Sequence, residues 1–164
     1  MTPDSIDTLI IGGGQAGLAM SAHLGTRGVP HLILERARLA ERWRSQRWDS
    51  LVANGPAWHD RFPNMTFDDI DPDSFAHKDR IVAYFESYAR QINAPIRCGV
   101  EVTALAPKAD GSGWRAETSE GRIEAQRVVV ATGPFQRPLI PEMVPAATGI
   151  VQMHSADYLS LIHI

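Results

Sequence analysis

Gly12-x-Gly14-x-x-Gly17 stands directly between a short apolar run and a helix-like apolar pattern, and this placement constrains the fold more than any other feature. Residues 9–11 predict a buried strand. Ala16, Leu18, Ala19, Ala22 and Leu24 predict one helical face, stopped by Gly28 and Pro30. "HLIL" predicts the next strand, and it ends on Glu35, eighteen residues after Gly17. In such a βαβ unit Gly12 permits a tight turn and Gly14 lets backbone amides approach a pyrophosphate. Gly17 lets helix and strand pack closely. The helix N-terminus adds partial positive charge where phosphates would lie. Glu35 falls where an acid accepts hydrogen bonds from an adenosine ribose. A carboxylate there repels a 2′-phosphate, which disfavours NADP at this site and leaves NAD or FAD. Arg36, the next residue, either softens that charge at the cofactor or is solvated.

The bulk properties exclude several alternatives. A chain of 164 residues suits one domain with a real core. Its formal charge of -3 argues against a general grip on nucleic acid. A single cysteine, Cys98, excludes an internal disulfide or a CxxC pair and reads as a small buried residue. None of the six histidines is spaced for a metal site. No apolar run approaches the roughly 18 residues of a membrane helix. The start, "MTPDSID", lacks the basic region of a signal peptide, so a cytoplasmic protein is expected.

After Glu35 the chain leaves regular βα alternation. "ERWRSQRWDSL" concentrates tryptophan and arginine, and a long loop rich in Pro, Asn and Asp follows. Rings and arginines suit the wall of a cleft for a flat, charged cofactor. Arg42 and Arg47 read equally well as a solvated face, and Trp48 and Trp58 as plain packing. Residues 74–92 predict a helix whose buried stripe is Ile81, Val82, Phe85, Ala89 and Ile92. The rest reads as β: "IRCGVEVTALA", "GWRAETS" and "RIEAQRVVVATG", with turns at Asp110-Gly111 and Glu120-Gly121. Val128 to Ala131 suits a strand covered on both faces, and Thr132-Gly133 follows at its C-terminal end, where α/β sheets bind ligands.

These segments together resemble the class B flavoprotein monooxygenases: flavin-containing monooxygenases, Baeyer–Villiger enzymes and N-hydroxylating enzymes. The likeness runs from Ile6 to Tyr158. "ERWR" is similar to the family's GGxWR-like segment, with Glu41 and Arg42 in place of the usual glycine pair. Trp43 and Arg44 carry over as cofactor-binding residues. "SLVAN" is similar to the segment bordering the flavin, which implies a cofactor contact at Leu51 and a flavin-facing, catalytic role for Asn54. Val102 corresponds to an adenine-contacting position, and Thr132 and Gly133 complete the ATG that closes the FAD domain. "ATGIVQMHSADY" resembles the fingerprint FxGxxxHxxxY/W through Gly149, His154 and Tyr158. Ala147 stands where Phe is usual, and one extra residue separates Gly149 from His154. Tyr158 favours the flavin-containing monooxygenase branch.

The resemblance implies an α/β, Rossmann-like FAD-binding domain with a parallel sheet and an inserted small β-meander, half of a two-dinucleotide-domain flavoprotein. Residues 1–145 would be that domain and 146–158 a linker toward an NADPH-binding domain outside this chain. Residues 159–164 read as a non-native tail on an N-terminal fragment. The implied activity is FAD- and NAD(P)H-dependent oxygen transfer from a C4a-hydroperoxyflavin to a nucleophilic small molecule. The alternatives are an FAD- or NAD-dependent oxidoreductase without oxygen transfer, and a non-catalytic nucleotide-binding module.

Overall fold

The computed structural model describes residues 5–134, 137–141, 143 and 149–160. Along the chain run β1 (Ser5–Ile11), α1 (Gln15–Thr26), β2 (His31–Glu35), α2 (Glu41–Ser45) and α3 (Lys78–Gln91). Then come β3 (Ile96–Cys98), β4 (Val102–Pro107), β5 (Trp114–Thr118) and β6 (Gly121–Val130). All six strands share one sheet in the order β3-β2-β1-β6-β5-β4. β3, β2, β1 and β6 are parallel, whereas β6, β5 and β4 form an antiparallel meander.

Strand alternation sorts the core into two faces. Ile10 and Ile33 pack with Leu18 of α1 and with Ile81, Val82, Tyr84, Phe85 and Tyr88 of α3. Leu9, Leu32 and Leu34 pack on the other side with Val100, Ala116, Ile123 and Ala125, so the meander helps to cover that face. This dual burial explains why β1 and β2 are nearly continuous apolar runs. Among the described residues no helix is long and apolar enough to cross a membrane.

The long loop after α2 is held by aromatic packing. Phe62 stacks on Tyr88 with ring centroids 4.1 Å apart, and Phe67 stacks on Tyr84 at 3.9 Å. The Tyr84 hydroxyl donates to the Met65 carbonyl at 2.6 Å and accepts from the Phe62 amide at 3.0 Å. Both ends of the interaction fix loop backbone to a helix side chain.

Four local readings change. The helix expected over 74–92 begins at Lys78, because the backbone before it serves the loop: the Ser74 and Ala76 carbonyls accept from the Ala57 and Ala53 amides. His77 is its N-cap, accepting the Asp79 amide on Nδ1 at 3.3 Å. The β reading of residues 96–106 breaks at Gly99, whose φ is +81°, and its two halves lie at opposite edges of the sheet. Cys98 is exposed, since it ends an edge strand. Finally, the backbone at the expected glycine pair is helical at Glu41, while the left-handed residue is Ala40, with φ +57°. The conformation that favours glycine therefore lies at Ala40, three residues before Trp43, where a GGxWR pattern ending on Trp43-Arg44 has its first glycine.

Candidate functional site

A cleft of about 810 Å³ opens at the C-terminal ends of β1, β2 and β6, within the size range of small-molecule and cofactor sites. Ile11 and Gly12–Gly14 form its floor with Gln15 and Ala16 at the start of α1. Gly12 has φ +110°, and a Cβ there would stand 2.5 Å from the Ala131 carbonyl oxygen at the end of β6. A Cβ on Gly17 would run into the Gly12 carbonyl oxygen. These two glycines are therefore demanded by packing.

Gly14 differs. It is the N-cap of α1, with φ -82° and ψ -167°, and a Cβ on it would meet no atom within 4 Å. Among the described residues no neighbouring group requires glycine there, and Gly14 lines the cleft.

Glu35, at the end of β2, accepts hydrogen bonds from the Gly13 amide at 2.8 Å and the Ala37 amide at 3.0 Å. Its carboxylate is thus tied to the glycine loop and to the turn beyond it. Gly13 is a site residue that the motif treats as a blank. A Cβ on it would press on Ile96 Cδ1 at 2.9 Å and Glu35 Cβ at 3.1 Å. Three consecutive glycines were the available signal.

The second wall comes from α2 and the turn after it: Ala40, Glu41, Arg42, Trp43, Gln46 and Arg47 all line the cleft. Gln46 caps α2, its amide donating to the Arg42 carbonyl at 3.1 Å, and Arg47 follows just beyond the helix. Glu41 is held by Arg38 through bonds of 2.6 and 2.9 Å. That hydrogen bonding drives the Glu41 carboxyl down to about 2. Burial, followed by repulsion from Arg36 and Arg47, lowers the Arg42 guanidinium, with Glu35 opposing the change. Val100, Glu101, Val102, Ala131, Thr132, Gly133 and Pro134 complete the rim.

Of the residues singled out in the sequence, the cleft gathers Gly12, Gly14, Glu35, Arg36, Trp43, Val102, Thr132 and Gly133. Gly17 supports it from behind. Arg44 lies outside the lining: its Nε donates to the Leu39 carbonyl at 3.1 Å, and its Nη2 pairs with Glu86 of α3. It anchors α2 to α3. Leu51 is half-buried and Asn54 exposed, and neither lines the cleft. They flank the bridge between Val52 and His77. His154 closes a local turn, with Nδ1 accepting the Ala156 amide at 3.0 Å. Gly149 has φ +68°, and Tyr158 is half-buried; none of these three lines the cleft. Ala147, which stands where Phe is usual, and the tail residues 161–164 lie outside the described residues.

A glycine loop between strand and helix, a carboxylate ending the next strand and a meander continuous with the parallel sheet define a Rossmann-like domain of the two-dinucleotide flavoprotein type. The sequence profile of the pyridine nucleotide-disulphide oxidoreductases extends over residues 9–161, and the chain belongs to that family. It is 36% identical over 157 residues to the CzcO-like oxidoreductase of Geobacillus kaustophilus (strain HTA426), covering 94% of this chain and 44% of that protein. It is 35% identical over 156 residues to the indole-3-pyruvate monooxygenase YUCCA1 of Oryza sativa subsp. japonica, covering 93% and 38%. The solved flavin-containing monooxygenase from Stenotrophomonas maltophilia superposes with a TM-score of 0.82 at 27% identity, covering 96% of this chain and 47% of that one. The kin implied by the motifs, flavin-dependent monooxygenases and oxidoreductases, are thus those found. The chain spans less than half the length of each of these relatives.

Proposed function

We propose that the cleft holds FAD, and that a protein of the relatives' length carrying this domain is a flavin-dependent monooxygenase. Such a protein would take hydride from NADPH and transfer one oxygen atom to a nucleophilic small molecule. The observation that carries the cofactor reading is the open space at Gly14, the N-cap of α1, in a cleft that Glu35 also lines. The residues present fit a dinucleotide: amides for a pyrophosphate, a carboxylate for ribose hydroxyls, and Val102 at the adenine end. When bound, the flavin would supply the redox and oxygen chemistry. The chain's own work is to hold and orient it.

Residues 1–145 would form the FAD-binding domain and 146–158 the linker in which Gly149, His154 and Tyr158 lie. Leu51 and Asn54 are assigned to the flavin side by resemblance, Asn54 as a hydrogen-bonding group at the flavin edge. An oxidoreductase without oxygen transfer is the second reading, favoured by the family profile, that of the pyridine nucleotide-disulphide oxidoreductases.

Titration of the cofactor-free chain with FAD and with NAD tests the cofactor. FAD should bind with quenched flavin fluorescence and NAD should bind much more weakly; retention of NAD alone would overturn the reading. In the longer protein, NADPH-dependent oxygen uptake with an oxygenated product separates the two activities.

A further inference from the structure

The α2 segment is unusually rich in arginine, and its charges are sorted. Arg38 pairs with Glu41 and Arg44 pairs with Glu86, both within protein ion pairs. Arg42 and Arg47 line the cleft with the glycine loop, as Arg36 does, and Arg42 makes protein interactions of its own as well. Arg42 also interacts electrostatically with Glu35, the residue whose carboxylate accepts the Gly13 amide. The guanidinium therefore acts on the same corner of the cleft as the loop amides.

A charge comparison gives this arrangement a purpose. The N-terminus of α1 offers roughly half an elementary positive charge. A pyrophosphate diester brings about two negative charges, and Glu35 adds another beside the loop. The amides and Arg36, which also lines the cleft, still leave that corner negative by about one and a half charges. Two guanidiniums on the α2 wall offset the excess, and their planar forks suit phosphate oxygens.

We propose that Arg42 and Arg47 form a second phosphate-holding arm, gripping the dinucleotide's pyrophosphate from the α2 wall while the amides at the start of α1 hold it from the β1–α1 turn. This deepens the cofactor reading and rests on the cleft being a dinucleotide site. The arm is absent from the glycine motif and serves the phosphates, whereas Glu35 serves the ribose.

The test is titration of the cofactor-free chain with ADP and with adenosine over a range of salt concentrations. Arg42→Gln and Arg47→Gln should each weaken ADP binding about tenfold and flatten its salt dependence. Adenosine affinity should stay at the wild-type value, which also shows that the variants fold. Arg47→Lys should recover part of the ADP affinity. Wild-type ADP affinity in both Gln variants, equal losses for ADP and adenosine, or no ADP binding by the unaltered chain would each overturn the arm. If the unaltered chain binds ADP in this arginine-dependent way but rejects FAD, the arm stands and the flavin reading falls.

Discussion

Gly14 and Gly17 sit three residues apart on one turn and are needed for different reasons. The Gly14 backbone conformation is open to any residue and the space beside it is empty. Gly14→Ala should therefore leave the melting temperature nearly unchanged, while Gly14→Leu should abolish FAD binding by filling the phosphate space. Gly17→Ala should instead destabilise the fold by about 1–3 kcal/mol, because its Cβ meets the Gly12 carbonyl in a close-packed turn. Paired thermal melts and flavin titrations distinguish these outcomes, and a stability loss at Gly14 as large as that at Gly17 would refute the division. Glu35→Ala should weaken FAD binding by about 1.5–3 kcal/mol, the scale of hydrogen bonds to a charged group. An unchanged dissociation constant would reduce Glu35 to a brace for the Gly13 amide. The motif made Gly12, Gly14 and Gly17 legible because their spacing is local. It could not reveal Gly13, whose constraint comes from Ile96 on a distant strand, or the left-handed Ala40.

At the scale of elements, α2 and α3 carry opposite lessons about polar groups. The Arg38–Glu41 pair braces the start of α2, and its hydrogen bonds hold the Glu41 carboxyl at about 2, against an ordinary value of 4.5. A depressed carboxylate contributes stability above its unfolded value and loses it as pH falls through the folded one. Acid unfolding between pH 4.5 and 2 should therefore be shallower in Glu41→Gln than in the unaltered chain. Identical pH profiles would remove the pair from the stability of α2. On α3, the Tyr84 hydroxyl has two backbone partners and the buried Tyr88 hydroxyl has none among the described residues. Tyr84→Phe should lose about 1–3 kcal/mol, and Tyr88→Phe should be neutral or stabilising, since it removes an unsatisfied group. Denaturant midpoints check both, and a reversed order would contradict the hydrogen-bond assignment. The period gave Ile81, Val82, Phe85 and Ala89 of the buried α3 stripe, but it missed the buried Tyr84 and Tyr88, and Ile92 is the C-cap. The start of α3 was not readable, because the claim on residues 74–76 comes from loop amides at Ala53 and Ala57.

At the scale of the molecule, the sequence suggested a small meander set into a parallel sheet, and the structure makes the two continuous. β6 pairs antiparallel with β5 over its first half and parallel with β1 from Glu124 onward. Glu124 and Ala125 belong to both ladders at once, opposite Arg115 and Trp114 on one side and Ser5 and Ile6 on the other. Nothing local in "IRCGVEVTALA" announces that its halves part to opposite edges, since strand order is decided by partners far away in the chain. Because β6 is common to both parts, the meander cannot detach without exposing Ile123 and Ala125, which share one cluster with Leu9, Leu32 and Leu34. The chain should therefore unfold as one cooperative unit. Two variants test this, one retaining only Trp114 in the meander and the other only Trp43 at the cleft. Their fluorescence transitions in urea should coincide with each other and with the loss of far-UV circular dichroism. Saturating FAD should then move both midpoints upward together, as expected of a ligand that binds only the folded chain. An earlier transition at Trp114, unmoved by FAD, would show that the meander is a separate unit after all.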